Sequence, residues 1–311
     1  MKPQHLHIET PLIESVPLAQ RVKGRVWLKM EALQPSGSFK LRGIGRTCQR
    51  YLSEGARAFI SSSGGNAGIA VAYSGKKLGV PVTVVVPETT SERAIQAIRQ
   101  EQAEVIVEGK TWQEAHSCAL GLVRQGRIHI HPFDDPLLWR GHGTIIDEVA
   151  RCGLLPDAVV FSVGGGGLLC GVLEALHRNN MANVPVVAVE TEGADSLSSS
   201  LKAGRHLEIE DIRSIATSLG AKKVAKAAYE WCYKHEVVSH VVSDREAVDA
   251  CLRFSRDHRL LVEPACGASL ASVYDPVEIL MNKRDILVIV CGGAGVTMAQ
   301  LEEWNRLLDN P

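Results

Sequence analysis

The sequence has almost no charge of either sign in excess, with 34 Lys and Arg against 35 Asp and Glu. No dense basic block stands anywhere along it, so neither nucleic acid nor an anionic membrane is called for as a partner. It lacks a C-x-x-C pair among its eight cysteines, which argues against a zinc knuckle or a thioredoxin-type motif. It also lacks a basic-then-apolar opening: residues 1–14 do not read as a secretion signal. An even cysteine count would permit disulfides, but reduced thiols in a cytoplasm are the better expectation. There is no G-x-S-x-G elbow for acyl transfer, no internal repeat and no low-complexity tract. One segment, 158–176, is apolar enough to raise the question of a membrane span. Four consecutive glycines interrupt it, and it is short for a span. A buried strand, a glycine loop and a buried helix are predicted there instead.

What is present is a large apolar fraction, 45% of 311 residues, enough for a sizeable core and for two domains. Short Val- and Ile-rich runs at 58–61, 82–86, 104–107, 159–163, 184–189 and 286–291 alternate with helical stretches at 67–78, 91–102, 112–125 and 168–178. Several runs are apolar at every position, as strands are when helices cover both faces of a parallel sheet. Ser243-Asp244-Arg245-Glu246 reads as a capping box that opens a helix over 247–258. The pattern predicts an α/β fold of two open-sheet domains. The Pro/Asp-rich stretch 131–136 is read as the crossing between them. The smaller domain (41–133) is then inserted in a larger one (1–40 and 134–311).

Four constellations carry chemistry. In Pro35-Ser36-Gly37-Ser38-Phe39-Lys40 a lysine follows a turn of small residues and is flanked by Phe39 and Leu41. Desolvated there, it would lose proton affinity and serve as an amine nucleophile; alone it reads equally as a solvated surface charge. Ser61-Ser62-Ser63-Gly64-Gly65-Asn66-Ala67-Gly68 joins a strand to a helix and offers N–H groups and hydroxyls to a carboxylate. The plainer reading is an ordinary turn with Asn66 as helix cap. Ser162-Val163-Gly164-Gly165-Gly166-Gly167-Leu168 again lies between strand and helix. Four glycines let backbone wrap an oxyanion, for which phosphate is the natural candidate. Glu190 lies near the spacing of a dinucleotide fingerprint, so a nicotinamide-linked oxidoreductase stays open, although the glycines are consecutive rather than spaced. Val290-Cys291-Gly292-Gly293-Ala294-Gly295 ends a strand where α/β folds place ligands. His129 and His131 would share one face of a strand, but no third ligand follows closely, and a transition-metal site is not expected.

In this order the motifs resemble the serine/threonine dehydratases of the tryptophan-synthase-β type of pyridoxal-phosphate enzyme. The resemblance is closest to the compact L-serine dehydratases without a regulatory tail, and it extends from about Thr10 to Gln300. Phe133-Asp134-Asp135-Pro136, Gly141-His142, Val189-Glu190-Thr191 and Leu261-Val262-Glu263-Pro264-Ala265-Cys266-Gly267-Ala268 belong to it. The resemblance implies a cytoplasmic homodimer that turns L-serine, and L-threonine, into a 2-oxo acid and ammonia with pyridoxal 5'-phosphate. It implies Lys40 as the Schiff-base lysine and Phe39 as packing against the cofactor ring. Ser63, Gly64, Gly65, Asn66 and Ala67 would hold the substrate carboxylate, Asn66 also reaching the ring hydroxyl. Gly164, Gly165, Gly166, Gly167 and Leu168 would cradle the phosphate, which would protonate the departing hydroxyl, and Cys291 would face the pyridine nitrogen. A K+-like cation would take side-chain ligands from Glu190 and Ser196 and carbonyls from Gly164, Ala194, Leu219 and Ala221; local capping by Glu190 is the competing reading. His142 matches a residue near the site to which no role is assigned. Serine racemases and cysteine synthases share the pattern but typically carry Ser in place of Cys291, and the racemases carry a serine matching Gly64. A catalytically silent sensor is disfavoured by Lys40.

Overall fold

The protein was described from a computed structural model covering residues 5–309; residues 1–4 and 310–311, the two ends of the expected larger domain, lie outside the described residues. The strands are β1 (Leu12–Glu14), β2 (Arg25–Lys29), β3 (Ala58–Ser61), β4 (Val82–Val86), β5 (Glu104–Val107), β6 (Arg127–His129), β7 (Ala158–Ser162), β8 (Val186–Thr191), β9 (Val237–Val242) and β10 (Asp285–Ile289). They form two sheets, a six-stranded one in the order β1-β2-β10-β7-β8-β9 and a four-stranded one in the order β5-β4-β3-β6. Every pairing is parallel except that of β1 with β2. The fold is the two-sheet α/β architecture that the strand–helix alternation predicts.

The central strands of the larger sheet are buried along nearly their whole length. Alternate residues feed opposite faces, as the two-residue period of a strand requires. Val160, Val187 and Val288 join one apolar core with the helices Asp244–His258 and Pro264–Tyr274. Phe161, Val186 and Leu287 join another with the helix Gly167–Arg178. The smaller sheet buries Phe59, Val82 and Val84 against the helices Lys40–Ser53 and Asn66–Leu78. The capping box is present: Glu246 N–H donates to Ser243 Oγ at 3.2 Å and Ser243 N–H to Glu246 Oε2 at 2.7 Å. It opens the helix Asp244–His258, three residues earlier than its apolar face alone indicates. The glycine loop and the serine–glycine turn both lie at the carboxyl ends of strands, after β7 and β3. Among the described residues no helix is long and apolar enough to cross a membrane.

A cluster of buried charges fixes the start of the Lys40–Ser53 helix. Arg42 and Glu31 are wholly buried, and Lys29 and Glu148 nearly so. Arg42 grips Glu31 with two bonds, from Nε at 2.7 Å and Nη2 at 2.8 Å. It grips Glu148 with two more, at 2.6 and 2.7 Å. Lys29 reaches Glu148 and the carbonyl of Thr10. Burial pushes the Glu148 carboxyl up, but hydrogen bonding and charge from Arg42, then from Lys29, bring it below its ordinary value. Two cations and two anions cancel, and bidentate geometry offsets the cost of removing them from water. Arg42→Met leaves Glu31 without its cation and is expected to destabilise the chain by about 3–5 kcal/mol. Denaturant unfolding checks this; a loss below about 1 kcal/mol would put the pair in the class of surface ion pairs.

Candidate active site

Lys40 is the first residue of its helix. The turn before it is fastened to the loop after β10: Phe39 N–H donates to Cys291 O at 3.1 Å and Gly293 N–H to Gly37 O at 2.9 Å. Gly37 has φ +78°, in the left-handed region that suits glycine. The Lys40 ammonium donates to the carbonyl of Pro132 at 2.8 Å. Burial lowers its pKa from 10.5 to about 8, against the opposing charge of Glu263. It is therefore an amine with an accessible free-base form.

The glycine loop approaches the same place from β7. Gly166 has φ +85°, and each of the four glycines touches a neighbour where a side chain would not fit. A Cβ at Gly165 would overlap the Phe133 ring, at Gly167 the Phe133 carbonyl, at Gly164 the backbone of Leu219, and at Gly166 the side chains of Ala228 and Val224. So the glycines are required by packing on one side of the loop. Among the described residues, the N–H groups of Gly164, Gly165, Gly166, Gly167 and Leu168 donate to no protein acceptor. A run of unpaired donors at the start of the Gly167–Arg178 helix suits a phosphate.

In the serine–glycine turn, Gly65 is the cap residue and Asn66 opens the helix Asn66–Leu78. The reading of Asn66 as a cap is thereby corrected. Its side chain instead crosses to the larger sheet, donating to Glu263 Oε1 at 2.7 Å and accepting from Ala294 N–H at 3.1 Å. Ser63 Oγ accepts a long bond from Gly65 N–H, 3.4 Å. The N–H groups of Gly64, Asn66 and Ala67 have no protein acceptor among the described residues. Ser62 turns the other way, bonding His116 at 2.8 Å and His129 at 3.3 Å. His131 accepts from Phe133 and Asp134 N–H through Nδ1. The H-x-H pair is thus engaged within the protein, and no metal-holding cluster is found among the described residues.

Cys291 is buried, and all eight cysteines are free. Contact with the Cys266 thiol, then burial, pushes its pKa well above the ordinary thiol value, so it stays a neutral S–H. His142 is fully buried with its ring edge against Phe39, the centroids 4.9 Å apart. Neither ring nitrogen has a partner among the described residues. Burial, then the charges of Lys40 and Arg42, keeps it neutral. Of the residues read as cation ligands, Glu190 is buried and accepts from Leu197 N–H at 2.9 Å and Ser198 N–H at 2.7 Å. It caps the helix Ser196–Lys202, as the competing reading holds. Ser196 Oγ is buried without a partner among the described residues. Gly164 lies against Leu219, whose carbonyl accepts from Ala221 N–H at 2.7 Å.

Three contributors escaped the sequence reading as individuals: the Pro132 carbonyl, the Phe133 ring and the Glu263 carboxylate. Only Glu263 left a local signal. It occupies the cap position of the helix Pro264–Tyr274 without making a cap bond, where Ser, Thr, Asp or Asn would ordinarily stand.

The phosphate-suited donors, the lowered amine and the neutral thiol together fit pyridoxal phosphate. Residues 4–292 match the family model described as pyridoxal-phosphate dependent enzyme. A mouse protein named serine dehydratase-like is 48% identical, covering 96% of this chain and 93% of its own length. The human L-serine dehydratase/L-threonine deaminase is 44% identical, covering 97% of this chain and 95% of its own. The crystal structure of a fungal L-serine ammonia-lyase from Rhizomucor miehei superposes with a TM-score of 0.92 at 38% identity, covering 97% of this chain and 99% of that one. With the family model spanning most of the sequence and relatives matching end to end, this chain belongs to the pyridoxal-phosphate-dependent enzymes.

Proposed function

We propose that this chain is an L-serine dehydratase that also accepts L-threonine, releasing ammonia and pyruvate or 2-oxobutyrate. The observation that carries the reading is the desolvated amine of Lys40 beside the unpaired N–H groups of the glycine loop; the names of its relatives support the choice of substrate. Lys40 would hold the cofactor covalently, Phe39 would pack on its ring, Asn66 would reach the ring hydroxyl, and Gly164–Gly167 with Leu168 would bind its phosphate. Bound there, pyridoxal phosphate supplies a sink for the electron pair left at Cα when its proton departs. Ser63, Gly64, Gly65, Asn66 and Ala67 orient the substrate carboxylate with N–H groups and a hydroxyl. Lys40, once free of the cofactor, takes the Cα proton. Cys291 would face the pyridine nitrogen, and as a neutral thiol it would impose no negative charge there, which would favour elimination over transamination. The working unit is read as a cytoplasmic homodimer.

Reduction with borohydride is expected to fix the cofactor on Lys40, and Lys40→Ala is expected to lower turnover of L-serine at least about 100-fold. Because the free amine is the nucleophile, capture of pyridoxal phosphate by the cofactor-free protein should slow roughly tenfold per pH unit below about 8. A protein that stays colourless after reconstitution, or that is labelled at another lysine, overturns the reading.

Gly64 separates this activity from racemisation, which needs a second acid–base group on the face of Cα opposite Lys40. Glycine provides none, so little D-serine is expected from L-serine. A Cβ at Gly64 would lie 2.8 Å from the Thr90 methyl and 3.4 Å from Val86. Gly64→Ser must therefore displace Thr90 before its hydroxyl can serve. The variant is expected to form D-serine and to eliminate more slowly, as chiral chromatography would report. Substantial D-serine from the unaltered chain would assign the far face to another residue.

A K+-like cation is proposed beside the glycine loop, with Glu190 and Ser196 side chains and the carbonyls of Gly164, Ala194, Leu219 and Ala221 as oxygen ligands. The unpartnered Ser196 hydroxyl supports it. So does Glu190, which burial raises to about 8 and which a cation would bring down. Activity is expected to fall when K+ is exchanged exhaustively for tetramethylammonium; equal activity in both removes the site.

A further inference from the structure

Glu263 is a carboxylate placed where nothing in the proposed chemistry uses it. It is 7% exposed, stands just before the helix Pro264–Tyr274, and packs against Gly293 of the loop after β10. A Cβ at Gly293, where φ is +125°, would overlap the Glu263 carboxyl carbon. Asn66 Nδ2 donates to it at 2.7 Å, and the Ser218 hydroxyl and Gly295 N–H lie near enough to favour its charged form. Burial raises its pKa, and these donors, followed by the charge of Lys40, oppose that rise. Asn66 opens the helix Asn66–Leu78, which packs on the smaller sheet, whereas Glu263, Ser218 and Gly295 belong to segments packed on the larger one.

The hydrogen-bond inventory at Asn66 has one solution. Ala294 N–H can only donate, so the atom facing it must be Oδ1, at 3.1 Å. A carboxylate can only accept, so the atom facing Glu263 must be Nδ2, at 2.7 Å. The amide is held from both ends and cannot flip. Its second N–H has only a long contact, 3.4 Å, to Ser218 Oγ and remains available to a further acceptor.

We propose that Glu263 is a positioning residue, which locks the Asn66 amide so that a donor rather than an acceptor faces the ring oxygen of the cofactor, and which in doing so clasps the two sheets together at the site. The proposal rests on the reading of Asn66 as the ring-oxygen contact. A donor there favours the ionised form of that oxygen. Glu263 thus acts on the cofactor through Asn66 without touching it.

The test combines Glu263→Ala, Glu263→Gln, Asn66→Ala and the double variant Glu263→Ala/Asn66→Ala. In the cofactor-free protein, hydrogen exchange at Ala294 N–H is expected to quicken at least about tenfold in Glu263→Ala, the loss of roughly one hydrogen bond. Glu263→Gln, which keeps one acceptor oxygen, should restore part of the protection. In the loaded protein, the pH at which the cofactor absorbance changes is expected to rise by about one unit in Glu263→Ala. The same rise is expected in Asn66→Ala, with no further rise in the double variant, because residues acting through one contact are not additive. Unchanged exchange at Ala294 in Glu263→Ala, or shifts that sum in the double variant, would overturn the proposal. If the chain takes up no pyridoxal phosphate at all, the functional reading fails, while the exchange measurement still judges the clasp. Circular dichroism of each variant separates loss of the clasp from loss of the fold, and Glu263→Gln carries the exchange comparison if Glu263→Ala does not fold.

Discussion

The reactive end of this molecule hangs on a guanidinium that water does not reach. Arg42 lies two residues past Lys40 and is held by four bonds to two buried carboxylates. Those carboxylates come from segments far apart in sequence: Glu31 follows β2, and Glu148 lies in the helix Thr144–Arg151. With Lys29 balancing the charge, the first turn of the Lys40 helix can neither rotate nor slide without stranding an ion in the interior, a cost of several kcal/mol. The lysine therefore inherits a fixed direction from a neighbour that does no chemistry.

From that fixed point the rest of the site is assembled by backbone. The turn before Lys40 is bonded to the loop after β10, which carries Cys291. The carbonyl that receives the Lys40 amine belongs to Pro132, next to the ring that closes one side of the glycine loop. The Asn66 amide reaches the loop after β10 from the smaller sheet. Three segments that end strands, after β3, β7 and β10, thus meet at one amine. Parallel order makes this possible twice over: β7 and β10 end on the same edge of the larger sheet, and β3 of the smaller sheet presents its own carboxyl end to that edge.

Much of this was legible in the sequence. The runs at Ala58–Ser61, Val82–Val86 and Glu104–Val107 are strands to the residue; the first two are largely buried, as strands covered on both faces are, whereas β5 is an edge strand marked by its β-branched residues. The strands not foreseen, or foreseen only in part, are those with weaker signatures. β1 has three residues; β6, the strand on which His129 and His131 are read as sharing a face, has three and stops at His129, so His131 lies beyond it; and β9 is an edge strand whose positions are mostly half-buried. β2 reads Arg-Val-Trp-Leu-Lys, and its charged end residues interrupt the pattern. The helix runs predicted to 102 and 125 stop at Gln100 and Gly121, because propensity alone does not locate a C-terminus. At the site, the lysine, the glycine loop and the cysteine could be singled out because each is an unusual residue in an unusual place. The Pro132 carbonyl could not, because every residue has one. The bond from Asn66 to Glu263 spans 197 positions, a pairing that local pattern cannot express.

The contact of Phe133 with the glycine loop also bears on how such a chain can change. A Cβ at Gly165 would enter the space of the aromatic ring, and one at Gly167 the space of the same residue's carbonyl. A side chain at 165 is therefore open only to a lineage that has already surrendered the ring at 133, and the smaller residue at 133 would in turn leave a void until the loop was filled. Neither step is comfortable alone, so drift at the two positions is confined to a narrow path in which the order of events matters.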